Sequence, residues 1–212
     1  MNAIGLVLIG LPMTLLVTVS SFGIGAIVGI PLMLGLRSNY PPIRAVFRVI
    51  VDLIRGVPTI VWLFLLYFGV TFGHLRLSSL SAAIAGLGII SSAYLAEIYR
   101  GGFATLARGQ IEASHALGLN RTTTFIRVLA PQALRTSLPS LTTFLLALLK
   151  DSSIASTIGV TEMVFSATTF SRQNPGTAGL TPFFIAAGVY VVVSVPLAVV
   201  ARRLDSRLRR NH

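Results

Sequence analysis

Residues 1–36 read MNAIGLVLIGLPMTLLVTVSSFGIGAIVGIPLMLGL and contain no charged side chain. Because about 20 mostly apolar residues are enough for a helix to cross a bilayer, this stretch predicts a membrane span. It is long for one span and short for two, and Pro12 and Pro31 flank its centre. We therefore predict one long or kinked helix from about Leu6 to Leu34.

Gly25 and Gly29 are four positions apart in this first predicted helix. Small residues at this spacing let a second membrane helix approach closely. Glycine is also common in membrane helices that have no such contact. At the level of sequence the two interpretations stay open.

The composition of the whole chain is that of a membrane protein. Hydrophobic residues make up 54% of the 212 residues, and charged residues only 11%, whereas soluble domains carry about 25% charged residues. These values exclude an ordinary soluble enzyme and an intrinsically disordered chain. The net charge of +11 would also suit a nucleic-acid-binding protein. Because membrane proteins concentrate basic residues in their cytoplasmic loops, we expect membrane lipid as a partner and no nucleic acid.

Four further apolar stretches follow the first one. The charges Lys150 and Asp151 come only 14 uncharged residues after the start of the fourth span, so we expect them at membrane depth. The fold class is an all-α membrane protein with five transmembrane helices, and residues 1–212 form a single transmembrane domain. The later spans are predicted at about Ile50 to Phe72, Leu77 to Ala96, from near Thr136 onward, and Pro182 to Ala201.

The distribution of basic residues predicts the orientation of the chain. Thirteen of the 17 bases fall on one side of the five spans, and only Arg76 and Arg172 are on the other. Since basic loops stay in the cytoplasm, the N-terminus is predicted outside and the C-terminus inside. The thirteen are Arg37, Arg44 and Arg48, then Arg100, Arg108, Arg121, Arg127 and Arg135, and finally Arg202, Arg203, Arg207, Arg209 and Arg210.

The cytoplasmic segment of about residues 100–135, between the third and fourth spans, is predicted to be structured. Glu112 to Leu117 suit a short helix that ends at Gly118, because glycine adopts the left-handed conformation after a helix without strain. This helix would display a carboxylate beside apolar side chains. A solvated amphipathic loop is the alternative interpretation.

The same segment predicts a second short helix. Asn120 is suited to cap it, and it would run through Arg127. Pro131 is then expected to break the backbone before the fourth span, because proline lacks an N–H and collides with the preceding turn.

Motifs for catalysis are absent from the sequence. There is no phosphate-binding G-x-x-x-x-G-K-[ST], no G-x-S-x-G and no H-E-x-x-H, and there is no cysteine. The six carboxylates and three histidines show no metal-ligand spacing. We predict no enzymatic activity, catalytic residue, metal or cofactor in this chain.

Glu112-Ala113-Ser114, with Gly118 six residues after the glutamate and then Val128 and Pro131, resembles the EAA loop of ABC importer permeases. Ser114 stands where the family pattern has a second alanine. In that family the loop forms a coupling helix that docks in a cleft of a separate ATPase subunit. The resemblance therefore implies a coupling role for Glu112, Ala113, Ser114 and Gly118.

Residues 55–69, 93–101 and 149–160 resemble motifs of the polar amino acid uptake permeases, a type I subfamily. This resemblance implies a multi-pass permease in the bacterial plasma (inner) membrane. It also implies three partners: an ATP-binding cassette subunit, a second permease copy or a homologous permease, and an extracytoplasmic substrate-binding protein. Trp62 replaces the usual glutamine, and Ile90 stands where many members have asparagine, so both are expected to affect the substrate pathway.

Asp151, Ser152 and Ser153 are the polar candidates for that pathway. A charge at membrane depth normally faces a cavity or a partner, and Asp151 could hold a substrate ammonium group. Alternatively, neighbouring helices or the contact with a second subunit satisfy the charge, which is the interpretation we favour for Lys150. Arg55, near the kink expected at Pro58, is interpreted as structural, and Glu97 with Arg100 as an ion pair at a helix end.

Two functions remain open at this stage. The first is the transmembrane subunit of an ATP-driven importer. The second is a self-contained secondary transporter or channel for small polar solutes, which should show internal repeats or a path of charges. Five spans exclude two equal halves, and five helices enclose a pathway poorly. Both points favour the importer subunit, paired with a second permease.

Overall fold

The computed structural model of this chain describes residues 2–72 and 75–210. These residues are almost entirely helical. Two-residue strands, β1 (Thr71–Phe72) and β2 (Leu75–Arg76), pair antiparallel, with Thr71 opposite Arg76. The helices are α1 (Ala3–Leu36), α2 (Pro41–Gly56), α3 (Thr59–Gly69), α4 (Ser79–Ala104), α5 (Gly109–Ala116), α6 (Arg121–Thr123), α7 (Ala130–Asp151), α8 (Met163–Gln173) and α9 (Thr181–Arg210).

The first apolar stretch forms one long helix, as predicted. α1 runs for 34 residues and contains both Pro12 and Pro31. Asn2 caps its start, because the side-chain oxygen accepts a hydrogen bond from the N–H of Gly5 at 3.0 Å.

Gly25 and Gly29 mark the closest approach between α1 and α4. A Cβ built on Gly25 would collide with Ser91, and one built on Gly29 would lie 3.1 Å from the backbone oxygen of Ser92. The small-residue spacing is therefore a helix-contact motif, and the alternative that these glycines have no packing role is wrong.

Four helical stretches are long and apolar enough to cross a membrane: Ala3–Leu36, Ser79–Ala104, Arg121–Ile158 and Thr181–Val200. The pair α2 and α3 passes the same test jointly, but the two helices are bent by 95°. The predicted span from Ile50 to Phe72 is thus broken in the middle. The break has a local cause: Val57 precedes Pro58 and is extended, with ψ of 132°, because a residue before proline is pushed out of the helical region.

The expected break at Pro131 is wrong. A helical stretch runs from Arg121 to Ile158, through a π-helical segment at Thr124–Leu129 and a 3-10 segment at Ser152–Ile158. In the π segment the N–H of Ala130 donates to the carbonyl of Phe125, five residues back. This shift of the hydrogen-bond register comes immediately before Pro131, where the missing N–H of a proline falls in the first turn of α7 and is tolerated.

The predicted end of the second cytoplasmic helix at Arg127 is also wrong, because the helical stretch is not interrupted before the fourth span. Asn120 does cap the helix start, since its Oδ1 accepts a hydrogen bond from the N–H of Thr123 at 2.8 Å. The helix then continues past Arg127 into the fourth span.

The third span is longer than predicted from its apolar residues. α4 continues beyond Ala96 to Ala104 and includes Glu97 and Arg100. These two residues form the predicted ion pair at 2.6 Å, but inside the helix, and Arg48 of α2 adds a second ion pair to Glu97 at 2.9 Å. Glu97 thus pairs with one arginine of its own helix and with one of α2.

The centre of the molecule is a cluster of buried side chains from α1, α3, α4, α7 and the 3-10 segment. Its larger members are Val17, Leu63, Leu87, Leu148 and Ile158. This cluster holds α4 and α7 together and so positions the candidate site along them.

Candidate functional site

The residues of the EAA-like motif lie on and just after the short helix α5. Glu112 and Ala113 are exposed, whereas Ser114 is buried and its hydroxyl donates to the carbonyl of Gln110 at 2.7 Å. The apolar side chains of Ile111 and Leu117 are also exposed. α5 therefore presents a carboxylate and two apolar side chains outward, as a docking surface requires.

Gly118 ends α5 in the way that the sequence predicts. Its φ is +73°. The N–H of Gly118 donates to His115 at 2.9 Å, and the N–H of Leu119 donates to Ser114 at 3.0 Å. These two bonds are the pair that closes a helix end around a left-handed residue. A residue with a Cβ is strained in this conformation.

A side-chain contact ties α5 to the fourth span. The amide nitrogen of Gln132, in the first turn of α7, donates to the side-chain oxygen of Gln110 at 3.3 Å. This hydrogen bond connects α5 directly with the start of α7.

An open groove with hydroxyl groups runs along α4 and α7. It consists of two adjoining cavities, of about 450 and 410 Å³, that share Tyr94, Ile98 and Ser140. We call it the polar groove. Its other lining residues are Arg55, Glu97, Gly101, Gly102, Thr105, Thr136, Ser137, Pro139, Thr143, Phe144 and Ala147.

Asp151 continues the groove face of α7. Thr136, Ser140, Thr143 and Ala147 line the groove at intervals of three and four residues, and Asp151 comes four residues after Ala147. Residues at this spacing share one face of a helix. Ser140, Thr143 and Asp151 are exposed in the single chain.

Neighbouring candidates on the same stretch differ in burial. Ser152 is buried and its hydroxyl donates to the carbonyl of Leu149 at 2.8 Å, whereas Ser153 is half-buried. Lys150 is exposed and lines a separate cavity of about 350 Å³ with Tyr190 and Ser194 of α9. Lys150 and Asp151 are adjacent in sequence, but Lys150 lies on the side of α9 and Asp151 on the groove face of α7.

The pathway candidates Trp62 and Ile90 are not among the residues that line the polar groove, whereas Tyr94 lines both of its cavities. Ile90 is one turn before Tyr94 on α4, with 6% exposure. The indole N–H of Trp62 donates to the carbonyl of Ile54 at 3.1 Å, across the bend between α2 and α3. The next residue, Arg55, places its guanidinium carbon 5.0 Å from the centre of the Tyr94 ring.

Sequence reasoning missed a buried polar contact centred on Glu162. This residue is fully buried and caps α8, a helix that hydropathy did not predict. Its carboxylate accepts hydrogen bonds from the N–H of Phe165 at 2.8 Å and from the hydroxyl of Tyr190 at 3.1 Å. Burial raises the pKa of the Glu162 carboxyl above its usual range, against the opposite effect of these bonds. The sequence signal that could have revealed α8 is Glu162 itself, whose side chain can cap a helix by accepting a hydrogen bond from the N–H of Phe165, three residues later.

The same arrangement of helices occurs in known proteins. The family model described as binding-protein-dependent transport system inner membrane component matches residues 21–210. The chain belongs to this family. The family is that of ABC importer permeases, so the resemblance given by the EAA-like motif is confirmed, as is the expectation of a multi-pass protein in the bacterial plasma membrane.

Named relatives and solved structures support this assignment. The chain is 34% identical to the probable amino-acid permease protein YxeN of Bacillus subtilis (strain 168), over 77% of this chain and 75% of that protein. It is 33% identical to the glutamine transport system permease protein GlnP of Escherichia coli (strain K12), over 98% and 94%. A solved structure of an amino acid ABC transporter with histidines superposes with a TM-score of 0.84 at 31% identity, covering 96% of this chain and 94% of that one.

As an ABC importer permease, the chain is a transmembrane subunit, and ATP hydrolysis takes place in a partner protein. A substrate-binding protein is a further general component of such importers. The alternative of a self-contained transporter or channel is therefore set aside.

Proposed function

We propose that this permease moves polar amino acids through the polar groove. An ATPase docked at α5 would drive this transport by moving the helices that line the groove. The observation that carries the proposal is the groove itself. Hydroxyl groups and Asp151 follow one face of α7 and are exposed in the single chain, although polar groups facing lipid are costly. A water-filled path would solvate them.

A second permease subunit is required to close this path. In the single chain the groove is open along its length, and five spans do not surround it. We propose that another copy of this chain, or a homologous permease, covers the face that carries Ser140, Thr143 and Asp151. Burial of this face against a partner would place the hydroxyl groups of two subunits around one central passage.

The proposed substrate class is polar amino acids. It is supported by the names of the relatives in Bacillus subtilis and Escherichia coli, which are amino-acid and glutamine permeases. It is also supported by the chemistry of the groove, since Asp151 offers a carboxylate to an ammonium group, and half-buried Ser153 follows it two residues later, whereas Ser152 is buried. We propose that Trp62 and Ile90 shape the passage for a particular side chain.

We propose five spans, counting α2 with α3 as one, with the N-terminus outside and the C-terminus in the cytoplasm. Contacts between the arginine-rich segments support this topology. Arg37 lies 4.4 Å from the ring centre of Phe103 at the end of α4, and Phe103 stacks on Phe125 of the π segment at 5.2 Å. The basic segment that begins at Arg37 and the basic segment of residues 100–135 therefore share one end of the molecule, as cytoplasmic loops should.

We propose that Glu112, Ala113, Ser114 and Gly118 form the coupling element, at the same end of the molecule. Glu112 and Ala113 would contact the ATPase, while buried Ser114 and left-handed Gly118 keep α5 short and correctly aimed. Gln132 would pass the movement on to α7.

The experiment that tests the proposal is amino acid uptake by the importer reconstituted with its ATPase and binding protein. Vesicles are offered each amino acid separately, with a sugar and a divalent metal ion as comparison solutes. We expect ATP-dependent accumulation of one or a few polar amino acids. Accumulation of only the sugar or the metal ion would contradict the substrate class.

A further inference from the structure

A second groove, apolar in character, opens on another side of α4 and α7. It has a volume of about 450 Å³ and lies between α1, α4, the π segment and α7. We call it the apolar groove. Its principal walls are Ile27, Ile30, Met33, Phe103, Ala133 and Leu134.

The apolar groove meets the polar groove at buried Ser137, which lines both, but it opens on a different side of α4 and α7. On α4 its wall is formed by Tyr99 and Phe103, whereas the polar groove uses Tyr94 and Ile98. The hydroxyl of Tyr99 is directed to the carbonyl of Ala26 at 3.4 Å and so is not offered to the groove. The groove therefore offers few hydrogen-bonding groups to a polar substrate, but its apolar walls suit a hydrocarbon chain.

The mouth of the apolar groove consists of exposed aliphatic side chains. Ile27 is 72% exposed, Leu134 50% and Ile30 47%. In a membrane-spanning chain, side chains of this kind on the outer face of α1 and α7 meet lipid tails. The groove thus opens where an acyl chain can enter it from the side.

A surplus of positive charge lies at one end of the apolar groove. The guanidinium of Arg37 lies over the ring of Phe103, which is a groove wall. Close by, Arg48 and Arg100 share the single carboxylate of Glu97. Arg37 itself makes no salt bridge with the residues whose side chains the structure describes. Burial and the charge of Arg100 lower the pKa of Arg37, which agrees with an uncompensated cation.

We propose that the apolar groove binds an anionic phospholipid, with one acyl chain between α1 and α7 and the phosphate at Arg37. Arg37 comes one turn after Met33, a wall residue of the groove, so the two lie on the same face at the end of α1. Guanidinium groups bind phosphate by charge-assisted hydrogen bonds, and basic side chains at the membrane surface attract anionic lipids. On the proposed topology this site is in the cytoplasmic leaflet.

Because the groove touches α1, α4 and α7 together, the bound lipid would also affect transport. It would fill the space against which the π segment, next to the coupling helix, packs through Phe125. Occupancy by lipid would therefore stabilise the helices that transmit force.

The test is retention of lipid by the purified importer complex, measured by native mass spectrometry after exchange into vesicles of phosphatidylethanolamine and phosphatidylglycerol. Wild type is expected to retain phosphatidylglycerol preferentially. Arg37→Gln should lower this retention about fivefold, the effect of one surface base on binding to anionic lipid. The matched control is Arg44→Gln, an exposed arginine on α2 outside the groove, which should retain lipid as wild type does.

A second pair of variants tests the acyl chain. Ala130→Phe fills the groove from its wall, and Ala187→Phe adds the same ring on the exposed face of α9. Only the first should reduce retention. Uptake and thermal unfolding of each variant show that the complex is assembled.

Two results would overturn the proposal. One is equal phosphatidylglycerol retention in wild type, Arg37→Gln and Ala130→Phe. The other is occupation of the groove by a second permease copy, seen as a disulfide between two chains carrying Ile27→Cys, which is specific because the chain has no cysteine of its own. Amino acid uptake by the wild-type importer is measured separately, so failure of this inference is distinct from failure of the proposed transport function.

Discussion

The hydroxyl of Tyr190 on α9 donates a hydrogen bond of 3.1 Å to the fully buried carboxylate of Glu162 at the start of α8. The backbone of Glu162 in turn lies against α1, since a Cβ on Gly10 would be 2.6 Å from it. Glu162 thus connects α8 with α9 through its carboxylate, and both with α1 through its backbone. This contact makes the stability of the permease sensitive to protonation.

The first prediction concerns pH. Because burial raises the pKa of Glu162, the folded protein holds this proton at pH values where the unfolded chain has lost it. Stability is therefore expected to fall as the pH rises from about 4.3, the ordinary pKa of glutamate, through the higher pKa of the folded state. Glu162→Gln, which cannot ionise, should flatten this fall in the unfolding temperature. Glu112→Gln, at an exposed carboxylate, is the control and should keep it. An unchanged slope in Glu162→Gln would contradict the prediction.

The second prediction concerns coupling at Gly118. Gly118→Asp places a Cβ at φ of +73°, which costs about 1 kcal/mol locally, and adds a carboxylate to the docking surface. The permease should insert and assemble, but substrate-stimulated ATP hydrolysis and uptake in vesicles should both fall. Gly109→Asp adds the same charge at the start of the same helix, where a Cβ meets nothing within 4 Å, and should be the milder variant. Wild-type hydrolysis and uptake in Gly118→Asp would place the coupling element elsewhere.

The third prediction concerns Asp151. Asp151→Asn removes the charge from the end of the polar groove while keeping the size of the side chain, so uptake should fall with assembly intact. The measurement is initial uptake rate beside the amount of complex recovered in purification. Asp52→Asn, at an exposed carboxylate of α2, is the comparison. Normal uptake by Asp151→Asn would leave this residue a structural role only.

The fourth prediction concerns the contact between α1 and α4. Gly25→Ala introduces a methyl group that collides with Ser91, and should lower the stability of the protein by about 1–3 kcal/mol, the usual cost of overpacking. Gly23→Ala, two residues away, meets open space and should be nearly neutral. Thermal unfolding of the two variants in one detergent separates them. Equal unfolding temperatures would show that the helices separate easily at this point.

The fifth prediction concerns topology. Cysteine placed at Asn120, next to the coupling helix, should resist a membrane-impermeant thiol reagent in intact cells and react after the cells are opened. Cysteine placed at exposed Thr177, between α8 and α9, should react from outside. Labelling of position 120 from outside would contradict the proposed orientation.

The sequence by itself determined the features that depend on local composition. A charge-free run predicted α1, because hydropathy acts residue by residue along one helix. Gly118 predicted the end of α5, because a left-handed backbone selects glycine. The spacing of Glu112, Ala113 and Gly118 identified the family, because a docking motif is contiguous in the chain.

Only the tertiary structure decided the features that depend on contacts between distant residues. The charges of Glu97 and Arg100 suggested the end of a span, yet α4 continues through them, and Arg48 of α2 pairs with Glu97. The π-helical turn that carries the chain past Pro131 depends on hydrogen-bond register rather than on residue type. In the sequence, nothing distinguishes Glu162 from the other five carboxylates, and only its contacts with α1 and α9 show that it is buried. Likewise, Arg37 is a candidate lipid ligand only because its guanidinium lies over the ring of Phe103. Hydropathy does not encode which helices meet, since lipid tails are as apolar as the side chains of a neighbouring helix, so specific packing and polar contacts decide it.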